Sequence, residues 1–503
     1  MTSKLDDFKA EVEVVWNIKD SLRLMGWDQQ IMMPAKAAAA RSRQMATLSR
    51  VAHERLTHDD FRRRLETAEQ AVEGLDHEHD DHCLVRLVRR HYDRAVDLPA
   101  DLVEELTQTC ALAFDAWVRA KADSNFSAFA PHFKKVLALK QRVAEQRGYQ
   151  DHPYDAMLDD YEPGMTTAQV RSLFEGFRPQ LVELVKSIAA SDAVSANGPL
   201  DQDFAIELQD AFSRTLAESI GYDLPNGRID PGPHPFCASP AGTDVRLTNR
   251  FTPGNLCTAM FGTLHEAGHG IYEQFSPPRF EHSPLRGGCS LGVHESQSRM
   301  WENFVGRSRP FWSYHFPRLQ ALFPEQLSGY EAEDFYRAVN RVRPSFIRVE
   351  ADEVTYTLHI IMRFEMETAL MDGTLAVDDV PECWNAKMED YLGVRPASDR
   401  VGCLQDIHWS DGLIGYFPTY SIGNMIAAQM WERMEREIPE LDERMARGDT
   451  SHVLNWLRRE VYDHASKFLP NELVRRATGH ALGYEAFGRY LEKKYTDIYR
   501  LKS

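Results

Sequence analysis

The densest chemistry in the chain lies in Leu264-His265-Glu266-Ala267-Gly268-His269-Gly270, where two histidines stand four residues apart. On a helix, four residues is slightly more than one turn, so both imidazoles leave the same face. Two such rings can share one zinc ion, each nitrogen about 2.0–2.1 Å from it. Glu266 follows the first histidine and can reach a water held there. A metal that lowers the pKa of water, beside a carboxylate that takes the proton, makes a hydrolytic centre, and H-E-x-x-H is its spacing. A buried structural histidine pair fits the same spacing. Gly268 and Gly270 bear on the choice, because each costs about 1 kcal/mol relative to Ala inside a helix. Their presence predicts close approach of another backbone or of a substrate.

Such a centre needs a third protein ligand and one open position. Glu295, 26 residues after His269, is the candidate, since that gap lets a second helix return antiparallel beside the first. A solvated helix glutamate is the plain alternative. His294 is the other candidate ligand. Farther on, Gly402-Cys403-Leu404-Gln405-Asp406-Ile407-His408-Trp409 is followed by Tyr416 and Tyr420. A histidine and a tyrosine are suitable donors to the oxyanion of a tetrahedral intermediate. Asp406 stands close enough in sequence to His408 to fix its tautomer. These aromatics would equally serve as core. Arg348 and Asp352 are spaced i,i+4, which predicts a surface ion pair. The alternative is a guanidinium fork on a substrate carboxylate. Arg246 lies beside Asp244 on an expected strand, either tied to that aspartate or lining a groove.

The elements that must position these groups read mostly as helices. Residues 5–56 are apolar-periodic with a break near Met33-Pro34, and 101–124 and 127–147 form two amphipathic stretches, the second ending at Gly148. Thr166 or Thr167 is placed to cap a helix after the turn Glu162-Pro163-Gly164. Residues 189–202 read as a surface loop, and 204–220 as a helix. Between 221 and 255 the chain is rich in Pro and Gly, with a short strand at 244–248. Helical texture resumes near 256. Pro344 predicts the first turn of a long helix ending near Gly373. Residues 424–447, 451–468, 470–478 and 484–500 read as C-terminal helices. No repeat or long linker interrupts the chain, so 1–503 is expected to be a single catalytic unit.

With 503 residues, 43% of them hydrophobic, the chain can bury a large core. A net charge of −18 disfavours a nucleic-acid binder, which would show a basic face. No run of 18 apolar residues predicts a membrane span, and the first residues have no secretory apolar core. Seven scattered cysteines without a C-x-x-C fit reduced thiols in the cytoplasm.

Six blocks together resemble the carboxypeptidase Taq family of zinc metallocarboxypeptidases. They are His234-Pro235-Phe236, Asp244-x-Arg246-x-Thr248, His265-Glu266-x-x-His269, His294-Glu295-Ser296-Gln297, Ile347-Arg348-x-x-Ala351-Asp352 and Gly402-x-x-Gln405-Asp406-x-His408-Trp409. The Trp27-Asp28-Gln29 stretch and Ala477-Thr478-Gly479 extend the likeness over the full length. The resemblance implies a mainly α, two-lobed helical body with a deep groove and a small β-sheet at its wall. N-terminal helices would form a lid over the groove, and the site would fall within 234–420. It implies one zinc per chain on His265, His269 and Glu295, with cobalt able to substitute, and Glu266 as general base. His408 and Tyr420 become the expected oxyanion donors, with Tyr416 as the alternative. Arg348, His234 and Arg246 become the substrate-binding candidates. It further implies a homodimer that removes single residues from peptides with a free C-terminus, with broad tolerance. The rival readings are an endo-oligopeptidase on a similar scaffold and a helical binding protein with a vestigial metal site.

Overall fold

The first 150 residues fold into the helices Lys4–Ile31, Ala38–Thr57, Asp59–Val72, Asp80–Val96, Ala100–Asp123 and Phe126–Arg147, of which the first two and the last two follow the predicted periodicity and Asp59–Val72 and Asp80–Val96 were not foreseen. The structure is a computed structural model that describes residues 4–191 and 198–501. The first helix stops just before Met33-Pro34, as expected where proline removes a donor. Gly148, at φ +78°, closes the sixth. Thr166 forms a capping box with Gln169 at the start of Thr167–Ala189. Of the expected loop over 189–202, residues 192–197 lie outside the described residues. The next helix is Ile206–Ser219.

The Pro/Gly-rich segment makes three strands: β1 (Gly227–Pro231), β2 (Phe236–Ala241) and β3 (Asp244–Asn249). β3 lies in the middle, parallel to β1 and antiparallel to β2, with Arg228 beside Arg246 and Phe236 beside Thr248. Thr248 Oγ1 accepts from Phe236 N at 2.9 Å and donates to His234 O at 2.9 Å, which stitches the two sequence blocks together. Ile229, Val245 and Leu247 are buried, and Leu247 reaches the following helix at Gly270.

Three helices carry most of the site. The motif helix is Leu256–Gln274, capped by Asn255, whose side chain accepts from Thr258 N at 3.1 Å. The ligand helix is Leu291–Arg299, capped by Ser290, and it runs into a π-helical turn at Met300–Val305. The wall helix is Tyr356–Met371 and is buried on nearly every side.

The wall helix corrects one expectation. Pro344 does not begin it; residues 341–347 are irregular, a 3₁₀ turn spans Arg348–Glu350, and the helix starts at Tyr356. Asp352 is the starting signal instead, since its carboxylate accepts the N–H groups of Val354 and Thr355 at 3.0 Å each. That use of Asp352 also removes the expected Arg348–Asp352 pair. The C-terminal helices differ in two places. The one expected over 424–447 begins earlier and is broken, as Pro418–Glu437 and Leu441–Ala446, because Pro439 interrupts it. The one expected over 451–468 ends at Glu460, and a 3₁₀ turn, Tyr462–His464, leads to Ala465 at φ +46°. Pro470–Thr478 and Glu485–Tyr499 match.

Buried side chains form two cores. The larger runs from Leu102 to Tyr499. The smaller joins Phe8, Trp16, Phe61, Leu65 and Val88 of the N-terminal helices and is closed by Phe280, Leu285 and Ala465 from the main body.

Candidate active site

Both histidines of the motif leave one face of the motif helix, with ring centroids 5.0 Å apart. The antiparallel return predicted for Glu295 is present. Gly268 explains how it comes so close: a Cβ there would lie 2.6 Å from Gln297 O and 2.7 Å from Ser298 Cα. Gly423, in the helix Pro418–Glu437, plays the same part on the other side, since a Cβ there would lie 2.6 Å from Glu295 Cγ. Glycines thus press the ligand helix between two neighbours, and Glu295 is 6% exposed.

The ligand atoms of His265, His269 and Glu295 all lie within 4.8 Å of one another. Each histidine Nε2 is 3.5 Å from Glu295 Oε2, longer than a charge-assisted hydrogen bond. Tetrahedral ligands on bonds of about 2.0–2.1 Å stand roughly 3.3–3.5 Å apart, so the cluster is spaced for a shared cation. Arg299 pairs with both Glu295 and Glu302, and Arg307 meets Glu302 at 3.5 Å. Burial opposes charge on Glu295, but Arg299 and the two histidines outweigh it and hold the carboxyl well below its usual range.

A surrounding layer orients these ligands. His265 Nδ1 meets Glu302 Oε2 at 2.9 Å. His269 Nδ1 meets His294 Nδ1 at 2.6 Å, and His294 Nε2 meets Glu273 Oε1 at 2.9 Å. With each Nδ1 engaged, both Nε2 atoms are turned to the cluster, as expected of supported ligands. His294, the alternative ligand from sequence, is therefore a partner of His269, and the candidate cluster uses Glu295. Arg299 and Ser298 donate to the two Glu295 oxygens at 2.7 and 2.9 Å. Sequence reasoning passed over Glu302 and Glu273. A usable signal existed: Glu273 is four residues past His269, and Glu302 seven past Glu295, both helical spacings.

Glu266 is 7% exposed, and no side chain among the described residues donates a hydrogen bond to it. Burial raises its pKa to about 7, against the pull of His265. His408 is also buried, which lowers its pKa to about 4, so its ring is neutral at pH 7. Its Nε2 meets the Tyr420 hydroxyl at 3.3 Å, and its Nδ1 is buried without a partner among the described residues. Burial pushes the Tyr420 phenol well above its ordinary pKa, so it keeps its proton. The Tyr416 ring lies 5.4 Å from that of Tyr420 and 5.3 Å from His408. Asp406 does not bond His408, contrary to expectation. It accepts from Arg348 Nε at 3.0 Å and from Arg363 Nε at 2.8 Å.

Arg348 is 5% exposed, with Tyr356 hydroxyl 3.0 Å from its remaining terminal nitrogen. Its fork is thus already engaged, but two guanidiniums share one carboxylate and leave a surplus positive charge. Arg246 is forked onto Asp244 at 2.7 and 2.9 Å and lies over the Trp27 ring. His234 is exposed at the approach to β2, and only its backbone carbonyl is used by the sheet.

The chain is similar to known proteins along nearly its whole length. The sequence model of the carboxypeptidase Taq (M32) metallopeptidases matches residues 7–495. The chain is 42% identical to thermostable carboxypeptidase 1 of Thermus thermophilus, over 95% of each chain. It is 36% identical to carboxypeptidase 1 of Bacillus subtilis, over 96% of each. The M32 carboxypeptidase of Deinococcus radiodurans R1 superposes with a TM-score of 0.96 at 38% identity, covering 99% of this chain and 100% of that one. Likeness of this extent, in sequence and in structure, makes the chain a member of the carboxypeptidase Taq family: a metallocarboxypeptidase, and so a peptide hydrolase that works with a divalent metal.

Proposed function

We propose that the protein is a zinc carboxypeptidase that removes single residues from the free C-terminus of peptides, with broad side-chain tolerance. The observation that carries the reading is the convergence of His265, His269 and Glu295 around an unbonded, buried Glu266. Two imidazoles and a carboxylate suit zinc, one ion per chain, and do not exclude cobalt. A divalent ion held there supplies Lewis-acid polarisation of a carbonyl and a more acidic water.

The chain's own groups do the rest. Glu266 takes a proton from the attacking water and returns it to the amine as the C–N bond breaks. His408, neutral, and Tyr420, protonated, donate hydrogen bonds to the developing oxyanion, with Tyr416 the alternative tyrosine. The surplus charge of the Arg348–Asp406–Arg363 cluster attracts the C-terminal carboxylate, and His234 and Arg246 line the peptide's path. Residues 1–503 act as one catalytic unit, with the N-terminal helices as its lid. No helix of the described residues is long and apolar enough to cross a membrane. None of the seven cysteines is in a disulfide, which supports a cytoplasmic setting. A homodimer completes the proposal.

The test compares peptides that differ only in a free-acid or amidated C-terminus. The free acids should lose one residue at a time and the amides should resist. Equal rates on both, with cuts at internal bonds, would favour an endo-oligopeptidase.

A further inference from the structure

Glu367, on the wall helix, is fully buried and lies outside the metal cluster. Its carboxylate gathers three donors from separate parts of the chain. Trp409 Nε1 donates to Oε1 at 3.0 Å; the Tyr154 hydroxyl and the Gly415 backbone N–H donate to Oε2 at 2.7 and 3.1 Å. One turn earlier on the same helix, Arg363 holds Asp406. The segment 406–415 is therefore fastened to one helix face at both ends, by Arg363 at Asp406 and by the Glu367 carboxyl at Trp409 and Gly415. His408 sits between these fastenings.

The tether has little slack. Gly415 adopts φ +95°, and a Cβ there would lie 2.7 Å from the Met157 backbone. The Trp409 indole stacks on Phe133 with centroids 5.0 Å apart. His408 has no hydrogen bond of its own to set its ring, apart from the 3.3 Å contact with Tyr420. Its position is set by the segment that carries it, and its ring rests against Phe417 and Tyr416, with centroids 4.4 and 5.3 Å away.

We infer that Glu367 is a positioning residue for His408, acting through Trp409 and Gly415. This rests on the reading of His408 as an oxyanion donor. A carboxylate suits the task because all three partners are donors and it offers two accepting oxygens. A glutamine of the same shape has one, so its NH₂ must face either the Trp409 or the Gly415 N–H, neither of which can accept.

The test is a cycle of Glu367→Gln and His408→Ala in the metal-loaded enzyme, assayed on a free-acid peptide. His408→Ala should lower kcat by roughly 100-fold, the scale of one oxyanion donor. Glu367→Gln should lower kcat roughly tenfold at unchanged KM and metal content. The double variant should be no slower than His408→Ala alone, because the positioned group is already gone. Losses that multiply in the double variant, or an unchanged kcat in Glu367→Gln, would overturn the inference. No loss in His408→Ala would instead sink the oxyanion reading. If Glu367→Gln does not fold, Tyr154→Phe removes one of the three donors and leaves the carboxylate. It should give a smaller kcat loss that vanishes on the His408→Ala background, and a loss persisting there would count against the inference.

Discussion

Glu266 lies beside the three proposed ligands without being one of the proposed set, and that separates two kinds of loss. Glu266→Gln should retain the metal, measured by elemental analysis, while turnover falls by about 10²–10⁴-fold, the usual scale of a positioned proton acceptor. Loss of the metal in that variant would show that the roles are assigned wrongly. Arg348 makes a second prediction, and the structure changes its terms. Its nitrogens already serve Asp406 and Tyr356, so its pull on a substrate carboxylate comes from the unshared charge of two arginines on one aspartate. Arg348→Ala should raise KM and lower kcat together, since the peptide loses both binding and register. It should also narrow the preference for free-acid over amidated peptides; an unchanged preference would move the role to another cation. The two proposed histidine ligands were legible because helical spacing alone joins His265 to His269, whereas Glu295 stood out from a solvated helix glutamate only through the resemblance. The groups behind them were not. Nothing local tells that Glu302 turns to His265, or that His294 faces His269 and Glu273, because those contacts arise only when the ligand helix docks.

At the scale of elements, the ligand helix begins on a buried acid. The Glu162 carboxylate accepts the Gly292 N–H, its other oxygen has no partner, and burial raises its pKa to about 8. The unfolded carboxyl titrates near 4.5, so between these values the folded protein holds a proton that the unfolded chain releases. Stability from this group is complete below about pH 4.5 and is lost as pH rises through about 8. Glu162→Gln removes that slope. The melting temperature of the variant relative to wild type should therefore be higher at pH 8.5 than at pH 5, read by thermal unfolding in matched buffers. A constant difference across the range would mean that Glu162 is ionised in the folded state. The element map also shows where sequence patterns mislead. Gly268 and Gly270 were legible as sites of close approach, and the Gln297 backbone and the Leu247 and Tyr222 side chains are what approach. Pro344 was misleading because proline fits a first helical turn but does not create one. Asp352, with its carboxylate on two following N–H groups, sets the start.

At the scale of the whole molecule, the described residues form two cores, and the attachment of the smaller one is specific. Ion pairs such as Arg279–Asp80 and Arg476–Glu78 join the N-terminal helices to the body, but partly exposed pairs contribute at most about 1 kcal/mol each. The buried attachments matter more. Trp27, 3% exposed, packs against the guanidiniums of Arg228 and Arg246, 5.1 and 4.3 Å from its ring, on adjacent strands of the sheet. The Arg286 side chain, 3% exposed, reaches Asp20 of the first helix at 3.2 Å and Glu273 at 3.1 Å. Glu273 in turn meets His294, the partner of His269. The N-terminal layer is thus joined to the proposed metal cluster by a continuous polar chain, and the Trp27 indole is its anchor on β1 and β3. Trp27→Ala removes the indole at a cost of about 3–5 kcal/mol, the range for a large buried aromatic. Because the layer has its own core, that cost should fall on its attachment. Amide hydrogen exchange should accelerate on the Lys4–Ile31 helix and on β1 and β3, by roughly a hundredfold or more where opening is local. Exchange in the wall helix, which has no part in this attachment, should stay as in wild type. Equal acceleration there would mean that the two cores open as one cooperative unit, and that the N-terminal helices cannot move independently as a lid.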